Sequence, residues 1–374
     1  MLKKSFVESE EDLMYLIALT MVNGVGHYLA KNLLNHFGSA KAVFSEKRYL
    51  LKKISGIGTL TADNIYAFKD FKSAEAEIQF IKKHKIKAIT CFDSDYPSKL
   101  KEIDDNPLVL FSKGSLDLNS NRLLSIVGTR NATAYGKTFT EELVEAVKHF
   151  GVIIVSGLAQ GTDTNAHKAC LKFDVPTVGV LGHGLSTIYP SSNRKLAEDM
   201  LKTGLLLTEF RYQTPGSREN FPRRNRLVAG MSDAIIVVES GIRGGSMITA
   251  DLANQYNRDV FALPGKITDN YSAGCNRLIH INQAGIIDSV SGLIRALGYD
   301  EPVKPKPLLN TDLFSSLNND EKAIIKCLSD GKKGIDYLHY MTNLPMNQLA
   351  FLLLDMEFKG LIKNLPGKIY TLGS

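Results

Sequence analysis

The segment Phe221-Pro222-Arg223-Arg224-Asn225-Arg226 places arginines, an amide and an aromatic ring side by side. Arginine carries a fixed charge on a planar fork that matches phosphate, and an aromatic face can stack on any base. The combination suits a single nucleic-acid strand better than a small metabolite. A helix whose arginines pair with neighbouring carboxylates is the alternative. Further cations, Arg130, Arg218 and Arg243, accompany four glycine-punctuated stretches. These are Gly128-Thr129-Arg130, the run from Ser156 through Gly157 and Gly161 to Asp163, Gly182-His183-Gly184, and Gly241-Ile242-Arg243-Gly244-Gly245-Ser246. Loops of this kind gather backbone N–H groups and helix N-termini around an anion.

Groups that could carry out a reaction are sparse. Gly136-Lys137-Thr138 looks like the end of a P-loop, but Asn131 stands where the leading glycine belongs. The first loop also lacks the G-x-G-x-x-G fingerprint of ordinary dinucleotide sites. Asp163 and His167 share a helical face at i and i+4. The reading favoured for them is a carboxylate anchoring a helix start and a histidine packed beneath the loop, with a metal or acid–base pair as the alternative. Cys91, Cys170, Cys275 and Cys327 are isolated, as expected of reduced thiols in a cytoplasmic protein. No catalytic residue, metal ligand or cofactor is assigned.

Positioning these loops requires strands. Apolar runs occur at Ala88–Phe92, Leu108–Phe111, Leu123–Val127, Val152–Val155, Thr177–Leu181, Leu205–Thr208, Ala234–Val238 and Val260–Ala262. Amphipathic helical stretches such as Gly136–His149 and Gly161–Leu171 follow most of them. This alternation predicts an α/β fold with a Rossmann-like, mostly parallel sheet covered on both faces, binding ligands beyond the carboxyl ends of its strands. A chain of 374 residues is expected to form several domains. Those expected here are residues 1–75, 76–300 and 320–374, with a Pro-containing linker over 301–319. The first repeats a hydrophobic-Gly-hydrophobic-Gly turn at Val22–Gly26 and Ile54–Gly58, which resembles the helix-hairpin-helix (or SAM-like) element that approaches DNA phosphates. The same turns also serve as packing units. The last predicts three helices and a hairpin, a winged-helix module. The helix in its recognition-helix position carries Asp355 and Glu357 against Lys359, which favours protein contact or packing over DNA. The hydrophobic share of 44% and the absence of long apolar runs predict no membrane span and a cytoplasmic location. The net charge of +6 is modest, so a polyanion site must come from local clustering.

From Ser125 to about Ile287 the chain resembles the DprA (Smf) family of DNA-processing proteins. The residues that carry the likeness are Ser125-Ile126-Val127-Gly128-Thr129-Arg130, Val155-Ser156-Gly157-Leu158-Ala159, Tyr189-Pro190, Phe221, Arg224-Asn225-Arg226, Gly245-Ser246 and Leu263-Pro264-Gly265. The resemblance implies a Rossmann-like domain that binds single-stranded DNA, dimerises and helps to load RecA in natural transformation, with single-strand binding protein as a further partner. Arg130 matches the family's arginine in a G-S-R turn, with Thr129 in place of serine. Arg218 stands where some relatives have lysine, and Phe221 matches a base-pocket aromatic. The DNA-binding set expected is therefore Gly128, Thr129, Arg130, Gly157, Gly161, Arg218, Phe221, Arg224, Asn225, Arg226, Arg243, Gly244, Gly245 and Ser246. The stretch Leu278–Ala284 departs from the family's L-I-x-x-G-A, near its dimer and recombinase contacts.

The function expected is a non-enzymatic recombination mediator that protects incoming single-stranded DNA. The competing expectation is a Rossmann-like nucleotide phosphoribohydrolase, in which Gly244-Gly245-Ser246 would work beside Glu239.

Overall fold

The computed structural model describes residues 6–7, 9–119, 122–299, 318–328, 331–359, 361–365 and 368–372. The chain divides into two compact units, Met1–Glu301 and Pro302–Ser374. Up to residue 317, the Pro-containing stretch lies outside the described residues, as does the Pro366-Gly367 turn.

The first unit begins with six helices: α1 (Glu10–Met21), α2 (His27–Phe37), α3 (Ala40–Ser45), α4 (Arg48–Leu51), α5 (Thr59–Ala67) and α6 (Phe71–Lys83). The two predicted turns join α1 to α2 and α4 to α5. Gly24 and Gly56 sit at φ +85° and +86°, a left-handed backbone that glycine adopts without strain. A Cβ on Gly24 would press on Thr61 of α5, and one on Gly56 on Leu29 of α2. Each hairpin thus packs on the second helix of the other. Ile17, Leu33, Ile65 and Ile78 form a core continuous with Leu108, Val109 and Phe111, so these helices share one compact unit with the sheet.

The sheet alternates with helices in chain order: β1 (Lys87–Thr90), α7 (Ser98–Lys101), β2 (Val109–Gly114), β3 (Arg122–Val127), α8 (Ala134–Val147), β4 (Val152–Ser156), α9 (Thr162–Phe173) and β5 (Thr177–Val180). Then come α10 (Arg194–Met200), β6 (Leu205–Thr208), α11 (Asn220–Met231), β7 (Ala234–Val237), α12 (Gly245–Gln255), β8 (Asp259–Ala262), α13 (Ala273–His280), β9 (Gly285–Ile286) and α14 (Val290–Ala296). The strand order is β1-β2-β6-β5-β4-β3-β7-β8-β9. Pairing is antiparallel at β1–β2 and β2–β6 and parallel from β6 to β9. Successive residues feed opposite cores: Leu123, Ile153 and Ile235 pack on one face, Leu124, Ile154 and Ile236 on the other. Burial on both faces explains why these strands read as unbroken apolar runs. From β3 the chain crosses to β4 on one side, while β7 lies on the other. A crevice opens at such a switch, beyond the carboxyl ends of the strands.

One buried carboxylate ties α6 to the loop after β6. Glu77 is 2% exposed and accepts the Tyr212 N–H, while Phe80 stacks on the Tyr212 ring at 4.3 Å. Burial pushes the Glu77 carboxyl up to about 7, against the Tyr212 amide and Arg211. Between about 4.5 and about 7 the folded chain therefore binds the proton more tightly than the unfolded chain, so stability falls as pH rises through that window. Glu77→Gln is expected to raise the thermal midpoint at pH 8 and leave it nearly unchanged at pH 5. An equal shift at both pH values would show that titration of Glu77 is not the cause.

The second unit contains α15 (Asn319–Leu328), β10 (Lys333–Gly334), α16 (Ile335–Thr342), α17 (Met346–Phe358), β11 (Ile362–Leu365) and β12 (Ile369–Leu372), a winged-helix domain. The strands form one antiparallel sheet in the order β10-β12-β11. Helix α17 contains no lysine or arginine and exposes Phe351, Leu354 and Phe358. Lys359, just beyond it, is held by Asp355 and Glu321.

Candidate nucleic-acid interface

At the switch between β3 and β7 lies a hollow of about 520 Å³. Its walls are the loops after β3, β4, β7 and β8, with Phe221, Arg224, Asn225 and Val228 of α11. A smaller hollow of about 70 Å³ adjoins it, reached by Gly182, His183, Tyr189 and Pro190. Both share Arg130, Gly157, Ala159, Phe221 and Arg224, so all four glycine-rich stretches converge on one rim of the sheet.

The β3 loop is held tightly. Thr129 N–H donates to the Glu239 carbonyl at 2.6 Å, and Thr162 N–H to the Thr129 carbonyl at 3.1 Å. A Cβ on Gly128 would meet Thr162 Oγ1 at 2.4 Å, and one on Gly161 would meet the Thr129 carbonyl at 2.3 Å. Arg130, at the tip, is exposed, and its guanidinium carbon lies 5.8 Å from the Phe221 ring centre. Phe221 is half-buried and stacks with Tyr189 at 5.6 Å and 26°. Its helix, α11, is fixed to β3 by Ser125, whose hydroxyl donates to the Val228 carbonyl and bonds Ser232.

On the β7 side, Gly244 precedes the first residue of α12 and offers no side-chain cap. Such an end carries roughly half a positive charge. Gly245 is exposed, Arg243 is exposed beside it, and Ser246 is buried with its hydroxyl donating to Ser240 Oγ. Asn225 donates to the Gly245 carbonyl and so joins α11 to this end. The rim thus presents cations, a helix N-terminus and an aromatic face to one space, an arrangement that can hold phosphate and base together.

Carboxylates near the hollow are tied down. Glu239 is 4% exposed and accepts from Thr133 N–H at 2.8 Å and Thr133 Oγ1 at 2.6 Å, at the start of α8 and away from the lining. Asp163 Oδ2 accepts the Gly157 and Ala159 N–H groups, which anchors the loop at the start of α9. Burial pushes the Asp163 carboxyl up, against the pull of Arg224. His167 is fully buried, bonds Thr177 Oγ1 and is driven down to about 3, so it stays neutral. Gly136-Lys137-Thr138 lies inside α8, with Gly136 packed on Glu239.

The sequence matches the family described as DNA recombination-mediator protein A over residues 87–298, more than half of the chain. A DprA winged helix domain matches over residues 311–368. Protein Smf of Synechocystis sp. is 33% identical over 95% of this chain and 98% of its own length. The chain belongs to the DNA recombination-mediator protein A (DprA/Smf) family. Among solved structures, DNA processing protein A of Streptococcus pneumoniae is similar with a TM-score of 0.64 and 31% identity, over 75% of this chain and 97% of that one. DNA processing protein A of Helicobacter pylori, whose structure describes its single-stranded DNA binding mode, aligns with a TM-score of 0.53 and 30% identity, over 58% of this chain and 97% of that one.

Three arginines of the DprA-like set do not face the larger hollow as free cations. Arg224 is 5% exposed; one guanidinium nitrogen donates to the Gly157 and Val180 carbonyls, and Nε to Asn225 Oδ1 at 3.1 Å. It supports the floor from beneath. Arg226 is 7% exposed and lies off the lining, bonded to Glu209 and His27, with Asp105 at 3.8 Å. Two positions along a helix turn the side chain by about 200°, which sends Arg224 and Arg226 to opposite sides of α11. Arg218 is exposed but lies outside both linings. Gly161 also lies off the linings and acts through the packing of the β3 loop. Residues not assigned from the sequence complete the walls: Ala159, Ser240 and Tyr271 in the larger hollow, Gln160 and Tyr189 in the smaller. Tyr189-Pro190 was visible as a motif without a role. Tyr271 sits in an irregular loop with no periodic signal.

Proposed function

We propose that this chain is a single-stranded DNA-binding recombination mediator that protects incoming DNA and loads RecA during natural transformation, without catalysing a reaction or using a cofactor. The observation that carries the reading is the Arg130 guanidinium over the half-buried Phe221 ring at the mouth of the hollow. Phosphates lie against Arg130, Arg243 and the start of α12, a base lies on Phe221, and exposed Arg218 extends the path outside the hollow. The single-stranded DNA binding described for the Helicobacter pylori relative supports the DNA reading. RecA loading, a role in transformation and contact with single-strand binding protein rest on the family likeness.

A homodimer fits the sheet's outer edge. There β9 is the last strand among the described residues, and Ile286 and Ile281 are 57% and 43% exposed. An unpaired strand edge beside apolar surface favours pairing with a second copy.

The phosphoribohydrolase reading needs an acidic group facing Gly244-Gly245-Ser246. Glu239 is bound by Thr133 away from the lining, and Asp163, which does reach the lining, has Oδ2 occupied by the β4 loop amides. Incubation with nucleoside monophosphates is expected to release no base.

The test is a gel shift comparing single-stranded with duplex DNA, with light scattering on the same sample and assembly of RecA on strands coated with single-strand binding protein. Single-strand preference, a dimeric mass and faster RecA assembly are expected. Preference for duplex would overturn the DNA assignment, a monomeric mass the dimer, and unaltered assembly the loading role.

A further inference from the structure

We infer that Tyr271 forms a second base-stacking position in the larger hollow, so that each chain holds two bases of one strand, one on Phe221 and one on Tyr271. This rests on the single-stranded DNA reading of the hollow and deepens it. Pockets of roughly 300–1,000 Å³ enclose whole small molecules. At about 520 Å³, this one exceeds what a single base on Phe221 requires. Phe221 lines both hollows, whereas Tyr271 lines only the larger, with Arg130 and Arg243 also on its walls.

Tyr271 is held at two points and still shows part of its surface. Its hydroxyl accepts from Asn131 Nδ2 at 2.8 Å, its carbonyl accepts from Ser240 N–H at 2.6 Å, and it remains 37% exposed. A ring already fixed loses little conformational freedom when a base settles on it. Two aromatic residues with exposed arginines on the same walls match the alternation of bases and phosphates along one strand.

The experiment is a fluorescence-anisotropy titration of a short labelled oligothymidylate with the full chain, at several salt concentrations. Tyr271→Ala is expected to weaken binding about tenfold with an unchanged salt slope. Tyr271→Phe, which keeps the ring and loses the hydroxyl bond, is expected to stay within about twofold of the parent. Oligonucleotides with one abasic site at successive positions should show two sensitive positions for the parent and one for Tyr271→Ala. Full affinity of Tyr271→Ala, with Phe221→Ala weakened, would remove the second position and leave the site intact. Equal losses for the Phe and Ala variants would make Tyr271 a support for Asn131 rather than a platform. If the parent chain and Phe221→Ala both ignore single strands, the underlying DNA reading fails with it.

Discussion

Replacing Arg224 by alanine is expected to cost the Met1–Glu301 unit about 2–5 kcal/mol of stability. The guanidinium is the common partner of the Gly157 and Val180 carbonyls, at the carboxyl ends of β4 and β5. It is also a nearby cation for Asp163, which is 8% exposed on the lining of the hollow. Removing it strands two buried acceptors and withdraws a favourable charge from that carboxylate, which keeps the Gly157 and Ala159 N–H groups; each buried acceptor left unpaired costs about 1–3 kcal/mol. Arg224→Lys is expected to recover only part of the deficit. A point charge does not reproduce a planar fork that serves Asn225 through Nε and the two carbonyls through another nitrogen. Denaturant titrations of the three proteins decide the matter. A midpoint shift worth less than about 1 kcal/mol for the alanine variant would return Arg224 to the role of a dispensable surface cation.

The sequence suggested a solvent-facing, DNA-binding role for Arg224, whereas the fold buries its guanidinium, and the reason is physical. A guanidinium is costly to bury, so an arginine run reads as solvent-facing unless its partners are known. Here the partners of Arg224 are carbonyls distant in sequence, and those of Arg226 are Glu209, His27 and Asp105 from three separate segments. No local pattern announces them. The strands were legible because burial on both faces leaves an unbroken apolar record, as in Val152–Ser156. The two residues of β9 are too short to leave one. The glycine-rich loops were legible too, since Gly128 and Gly161 answer to close backbone approaches that admit no Cβ. Tyr271 shows the limit, because only the fold brings residue 271 beside Asn131 and the hollow.

Arg130→Ala is expected to weaken single-strand binding by about 1.5–3 kcal/mol, the range for a hydrogen bond to a charged group. It should also flatten the log–log salt dependence by about 0.7, the signature of one phosphate no longer neutralised. Phe221→Ala is expected to lose roughly 1–3 kcal/mol through stacking, with the slope unchanged. Because the Arg130 guanidinium carbon lies 5.8 Å from the Phe221 ring centre, the two are not independent. Each positions the other, so the double variant should lose less than the sum of the single losses by at least about 0.5 kcal/mol. Strict additivity would mean that cation and ring meet the strand at unrelated places. Unchanged affinity and slope for Arg130→Ala would remove the β3 loop from the interface altogether. Arg130→Lys separates charge from shape: its slope should match the parent, and its affinity should still fall, because an ammonium offers no fork to phosphate. With charge read from the slope and stacking read from the intercept, a single set of titrations tells whether the rim acts as one surface.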